Sequence, residues 1–458
     1  MGPTDGGAGV EGQLSRRIGP LTATSIVVAN MIGAGIFTTS GIVAAQVPGA
    51  GYVIACWILG GVIAVCGALC YAELATRMPE EGGEYVYLKK IYHPALGFLT
   101  GWTSFLVGFS APIAASALGF AEYIFPGFQK VLPTMSPAEI SLCKKAGAVA
   151  IILVLTVVHY LGVRVGSIVQ NILTGVKIAI VLGLASIGLM LGEWQGSVFS
   201  VDAGGSIKGI ALGTAMMLVM FAYSGWNASA YIAGELKEPR RTLPLSLLAG
   251  TGIVIVLYLA VNVFVLKSVP YSELAGTIPV VEVAAVRAFG SWIGGMLGFI
   301  TGLALLSSLS AFIILGPRVY YAMAKDRLFF PLAARLHPRY GVPGTSILLQ
   351  GTVAVLMVVL GTFEQLAFYV GFALGVFPWL SVLGLFLARR KGIGDASAAK
   401  AWGYPVVPVF YLVSSLALMI VAYINRPLAS TAALVTIALG IPCYYLWVKG
   451  VKATPEAK

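Results

Sequence analysis

Apolar stretches close to the length a helix needs to cross a hydrocarbon core, about 20 residues, recur along almost the whole of this chain. They fall at 19–46, 51–77, 95–125, 145–163, 165–192 and 207–236, then at 245–268, 290–323, 344–361, 363–388, 403–424 and 428–448. Hydrocarbon offers no water to satisfy a free N–H or C=O, so such runs must be helices that satisfy their own backbone. Composition agrees: 10% of the 458 residues are charged and 58% are hydrophobic, where a soluble chain carries about 25% charged. The expectation is an all-α polytopic membrane protein with 12 transmembrane helices.

The formal charge of +11 is explained by topology. With the N-terminus inside, 21 of the 29 Lys and Arg residues fall on the inner side and 7 on the outer, with Lys177 left within a segment. That bias orients membrane helices, so both termini are expected in the cytoplasm, in a plasma-membrane protein with no nucleic-acid partner. Residues 1–15 are Gly-rich with no apolar core, which reads as a disordered tail and not a signal peptide; 449–458 reads as a second tail. Cys56, Cys66, Cys70, Cys143 and Cys443 are scattered, with neither metal-ligand nor disulfide spacing. No metal and no cofactor is expected. Two stretches between segments stand out. Glu73–His93 mixes charge with aromatics and reads as an interfacial helix with its lead-in. Ile278–Phe289 is too short to span and reads as an outer re-entrant or surface helix.

Segment one is interrupted by Met31-Ile32-Gly33-Ala34-Gly35-Ile36-Phe37. Glycine costs about 1 kcal/mol in a helix interior, and freed backbone groups persist at membrane depth only where protein or a watery cavity satisfies them. The break is either a binding site made of backbone or a close helix–helix contact of small residues. Segment six carries a second interruption, Phe221-Ala222-Tyr223-Ser224-Gly225-Trp226-Asn227. Paired breaks in segments one and six are what an inverted repeat of five helices predicts, with substrate at the midplane between half-helices. They favour the binding site. The repeats would run over 16–192 and 207–388, with two further helices in 403–448.

The motifs MIGAGIF, AELATRMPEEGGEYVYLKKIYHPALGFLTGW, VQNILTGVK and FAYSGWNASAYIAGELKEPRRTLP resemble the amino acid-polyamine-organocation superfamily. Within it they are similar to the L-type amino acid transporters and their bacterial relatives, over nearly the whole chain. The resemblance implies the leucine-transporter fold, alternating access and an amino acid substrate.

A broken helix can serve both ends of a zwitterion. The outer half of segment one would offer the N–H groups of Gly33, Ala34 and Gly35 to the carboxylate, and carbonyls near Ile32 would accept from the ammonium. The resemblance adds the carbonyls of Phe221, Ala222 and Ser224 beside Gly225, and makes Phe221 the aromatic gate over the substrate. Ala34 stands where some relatives have a serine, so carboxylate binding would rest on backbone alone. Trp226 either lines the pocket or packs outside it. Asn227 stands where a proton-linked arginine/agmatine antiporter has a glutamate, and an amide cannot titrate.

Lys177 lies thirteen residues beyond Arg164, about 20 Å of helix, too far for its stem to snorkel to the inner face. An intramembrane ammonium is a functional candidate. By the resemblance it points to the place between helices 1, 5 and 8 where sodium-coupled relatives hold sodium, so transport is expected without sodium, as exchange or as proton symport; Ser307, Ser308 or Ser310 could complete its bonds. Glu122 would favour a cationic substrate if it faced the vestibule. Glu73 and Glu235 sit at inner helix ends, near basic residues.

Neither break holds a charged residue, which favours a neutral L-amino acid, because burying an unpaired charge is costly; a cationic amino acid or polyamine is the alternative. An enzyme is disfavoured, since His93, His159 and His337 lie in loops or at a helix end. A channel would want rings of charges or carbonyls along an open pore, and a sensor on the same fold is a further alternative. No accessory single-span subunit is expected, although Cys143 lies near the outer loop where animal relatives join theirs.

Overall fold

The computed structural model describes residues 14–33, 35–129, 135–191, 209–277, 280–360 and 363–453. Helices carry the number of their segment. Helix 1a is Pro20–Met31, 1b Gly35–Ala44, 2 Ala50–Arg77, and 3 begins at Pro94 and ends at Gln129. Helix 4 is Pro137–Tyr160, 5 Val163–Leu191, 6a Gly209–Tyr223, 6b Ala228–Glu235, and 7 Pro239–Ser268. Helices 8 to 12 are Trp292–Lys325, Gly344–Leu360, Phe363–Lys391, Val406–Asn425 and Pro427–Ala453. Among the described residues 9 helices are long and apolar enough to cross a membrane, or 10 if 1a and 1b form one bent span. The expected count of twelve is therefore not reached by length and composition; helix 9 has only 17 residues.

The core is a bundle in which helix 7 packs on 1a, 2 and 5, and helix 8 packs on 3, 5 and 9. Both expected breaks are present. Helices 1a and 1b meet at 41°. Helix 6a stops at Tyr223, and 6b continues as a 3₁₀ helix of 8 residues. Helix 6b is kinked at Ile232 (φ −107°, ψ 17°), so it is two short 3₁₀ pieces and not one long run, in keeping with the short lengths at which this geometry is used. Helix 3 also departs from α geometry: Ser104–Gly108 forms a π-bulge, and the Tyr320 hydroxyl donates to the Ser104 carbonyl at 3.3 Å.

The Glu73–His93 stretch differs from the expectation. Glu73 to Arg77 is the end of helix 2, and only Glu84–Ile91 forms a separate helix. Its residues Glu84 to Leu88 are buried, so it packs under the bundle and does not lie on a lipid surface. The outer segment does form a helix, Val280–Phe289, while Ile278 lies outside the described residues.

The end of the bundle that holds Leu14 is called inner below, and it is closed. Ile18 pairs with Leu236 in an isolated parallel bridge, strapping the chain before helix 1a onto the end of 6b. Arg318 of helix 8 holds Glu235 through two bonds of 2.6 and 3.2 Å. Glu73, fully buried, receives Arg77 at 2.9 Å, Arg389 at 2.9 and 2.5 Å, and the Ala401 amide at 2.7 Å.

Candidate functional site

At the two breaks, Asn30, Gly33, Ser224 and Gly225 stay part-exposed among buried neighbours, and Phe221 is 38% exposed. The interruption of both helices leaves these residues accessible. Their backbone and side chains are polar but uncharged. Helix 1b begins at Gly35, and its first N–H groups have no acceptor within their own helix. They suit a carboxylate. The Gly33 amide is already turned inward, donating to Met31 O at 2.9 Å. Ala34 lies outside the described residues.

The two glycines of segment one do different jobs. A Cβ on Gly33 would meet nothing within 4 Å, whereas one on Gly35 would lie 2.9 Å from Ala222 Cα and Cβ. Gly33 faces open space, and Gly35 lets helix 1b press on 6a. The close-contact reading thus holds for Gly35, and bulk there would displace a helix as well as obstruct a site. Gly225 has φ +98°, and a Cβ on it would lie 2.4 Å from Asn30 Nδ2, so only glycine fits this turn.

Most carbonyls expected to take an ammonium already have donors. Lys177, fully buried, donates to Ile32 O at 2.6 Å, to Ala29 O at 3.2 Å and to Ser308 Oγ at 2.8 Å. The Ser308 hydroxyl also lies 2.8 Å from Ile32 O. Ile32 O is therefore occupied by Lys177 and Ser308. Phe221 O takes the amide and hydroxyl of Ser224, at 3.1 and 2.7 Å. Ala222 O and Met31 O share the Tyr258 hydroxyl, at 2.9 and 2.7 Å.

Of the three candidate serines, Ser308 faces Lys177. Ser307 does not; its hydroxyl lies 3.2 Å from Thr174 Oγ1 and 3.4 Å from Gln170 Nε2. Ser310 lies 2.8 Å from His159 Nε2. Trp226 is 5% exposed and packs edge-on against Tyr71 and Tyr411, with centroids 4.8 and 5.8 Å away; it wedges between helices 2 and 11. Asn227 donates to Glu84 Oε1 at 2.7 Å. Glu122 bonds Lys144 at 2.6 Å with its side chain 57% exposed, so it serves an outer ion pair and not the breaks.

Sequence reasoning missed Asn30, Tyr258 and Glu84. Asn30 donates to Gly225 O at 3.2 Å, and Tyr258 ties both breaks to helix 7. For Asn30 and Tyr258 the one signal was a polar side chain within an apolar run, as at Lys177; Glu84 lies in a charged stretch and gave none.

Comparison with known proteins gives one family. A family model described as "Amino acid permease" matches residues 18–448. The serine/threonine exchanger SteT of Bacillus subtilis is 28% identical, over 94% of this chain and 97% of its own. The human b(0,+)-type amino acid transporter 1 is 30% identical over 95% of this chain and 88% of its own. The human Asc-type amino acid transporter 1 is 26% identical over 96% and 84%.

Proposed function

The chain belongs to the amino acid permease family, and from that premise we propose that it exchanges neutral L-amino acids by alternating access without sodium. That it is an amino acid transporter of the leucine-transporter fold, a multi-pass membrane protein and not an enzyme, follows from the family. The substrate class and the coupling are our reading. The observation that carries it is the Lys177 ammonium, bonded at once to Ala29 O and Ile32 O of segment one and to Ser308 of helix 8. An ammonium there supplies the charge and the donors that a bound cation would otherwise provide. A cation site left empty would strand those oxygens, each at about 1–3 kcal/mol.

Neutral substrates are supported by the uncharged lining of the breaks and by a relative named for exchanging serine and threonine. The carboxylate would lie at the N-terminus of helix 1b, with the ammonium against segment six beside Ser224 and Gly225. Phe221 would close over it, and the side chain would lie toward Gly33. We further read two inverted repeats, 16–192 and 207–388, both termini in the cytoplasm of a plasma-membrane protein, and no accessory subunit.

The test uses proteoliposomes loaded with one labelled neutral amino acid. Exchange should persist when choline replaces sodium, and serine, alanine and leucine should compete better than lysine, arginine or glutamate. Lys177→Ala should abolish exchange, and added sodium should not restore it. Strict sodium dependence of the wild type removes the role given to Lys177; best competition by a charged amino acid removes the neutral substrate. Accumulation driven by an imposed pH gradient would replace exchange by proton symport.

A further inference from the structure

Among the described residues three carboxyl groups are buried at the inner side: Glu73, Glu84 and Glu235. Two have arginine partners, described above. Glu84 has none. It opens the helix Glu84–Ile91 after Gly82 and Gly83, whose φ values of +109° and +54° turn the chain sharply. Gly82 N donates to Tyr231 O at 2.9 Å, and a Cβ on Gly83 would lie 2.8 Å from the Tyr231 ring. This close approach to helix 6b carries the Glu84 carboxyl in beneath the span-six break.

There Glu84 is 4% exposed, and its Oε1 accepts from Tyr71 Oη and Asn227 Nδ2, each at 2.7 Å. The Tyr231 hydroxyl lies 3.4 Å from the same Asn227 nitrogen. The titratable neighbours are Tyr71 of helix 2, Tyr87 of its own helix, Tyr231 of 6b and Tyr411 of helix 11; all are neutral. The cations and acids nearby turn elsewhere. Lys89 and Tyr85 bond Asp326, Lys90 bonds Glu80 and Lys325 bonds Glu81. Arg318 holds Glu235, and Arg77 and Arg389 hold Glu73. A buried carboxylate without a cation is costly and is relieved by taking a proton. Burial accordingly pushes the Glu84 carboxyl above the usual carboxylate range.

We propose that Glu84 is a proton-binding site of the transport cycle and a positioning residue for segment six: neutral while helix 6b is packed on it, and ionised when 6b moves away and water enters from the inner side. In that step its O–H bond breaks, the proton passes to inner-side water, and the carboxylate left behind is hydrated. No electron moves. The proposal rests on the alternating-access reading. It gives inner pH a direction of action: acid on that side favours the closed inner face, and opening is disfavoured by up to about tenfold per pH unit once proton release is the linked step.

The experiment measures exchange in proteoliposomes of defined orientation while the pH on the inner side alone is varied. Wild-type exchange should slow as that side is acidified. Glu84→Gln, which mimics the protonated form, should run at the slow acid-limit rate at every inner pH. A wild type indifferent to inner pH, or a Glu84→Gln protein that keeps the wild-type slope, overturns the proposal. Infrared spectra of the purified protein decide independently of transport. A protonated-carboxyl C=O band should be present at neutral pH, vanish in Glu84→Gln and shift in Tyr71→Phe, which removes a donor but keeps the acid. A spectrum lacking the band, or a band unmoved by Tyr71→Phe, rejects the proton site even if Glu84→Gln fails to fold. Absence of all amino acid exchange with the band intact strikes the transport reading and leaves the proton site supported.

Discussion

The two breaks and the inner face hold their polar groups in opposite ways. At the breaks the partners are carbonyls, hydroxyls and amides, and the one charge among the described residues that reaches them, Lys177, arrives from helix 5 behind. At the inner face full charges meet in burial: Glu235 with Arg318, Glu73 with Arg77 and Arg389. Neutral hydrogen bonds contribute about 0.5–1.5 kcal/mol net each, and bonds to charged groups more. A region that must release and rebind a small molecule is built from contacts that re-partner at low cost. A face that must stay shut until the cycle turns is built from pairs that are costly to half-break. Glu84 stands between the two regimes, an acid by chemistry among neutral partners.

The comparison is most directly broken at Arg318. Arg318→Ala would leave Glu235 buried and unpaired, at a cost of about 3–5 kcal/mol. Thermal unfolding in detergent should move well down and exchange should be lost. Removing both charges, with Arg318→Met and Glu235→Gln, should recover much of the stability. Wild-type stability of the single variant would mean that this pair does not hold the inner face.

A smaller effect separates the two glycines of MIGAGIF. Gly35→Ala must shift helix 1b off Ala222, an overpacking cost of about 1–3 kcal/mol, read as a lower unfolding midpoint. Gly33→Ala meets open space and should leave stability within about 0.5 kcal/mol, while weakening competition by the larger substrates. Equal destabilisation by the two would remove the distinction drawn between them.

Tyr258→Phe sharpens the neutral side of the comparison. It takes away the donor near Met31 O and Ala222 O, for about 0.5–1.5 kcal/mol, and should raise the substrate KM more than it lowers the unfolding midpoint. An unchanged KM would leave Tyr258 as packing alone.

The smallest effect lies in the inner loop after helix 10. The Ser397 hydroxyl and amide, with Arg240, hold the Asp395 carboxyl down to about 2, against an ordinary value of about 3.9. Its contribution is thus fully present above the ordinary value and is lost only as pH falls through the folded one. Asp395→Asn should loosen this loop, seen as faster amide exchange at Ser397, and change neither stability nor exchange measurably at neutral pH. A change in transport at neutral pH would give this surface pair a role in the inner gate.

Hydrophobic run length alone determined that the chain spans a membrane many times, because hydrocarbon penalises every unsatisfied backbone group. Gly33, Gly35 and Gly225 made breaks in segments one and six the expectation, because glycine is costly inside a helix, yet Gly60 and Gly61 stay within an unbroken helix 2, so tertiary packing decides which glycines interrupt. Distance along a helix also determined that Lys177 is trapped at depth, since its stem cannot reach the inner face. Beyond that, local rules run out. Side chains three or four residues apart share a helix face, so spacing alone leaves Ser307, Ser308 and Ser310 as candidates; only the packing of helix 8 on helices 1a and 5 gave Lys177 to Ser308. The same holds for Gly35 against Ala222 and Trp226 against Tyr71, contacts between residues far apart in sequence. Glu84 shows the limit most plainly. Its neighbours in sequence are charged, as on any inner surface, yet the fold turns those charges to other partners and leaves it with Tyr71 and Asn227. Which donors surround a buried acid is decided by the helices that converge on it, and so is the state of its proton.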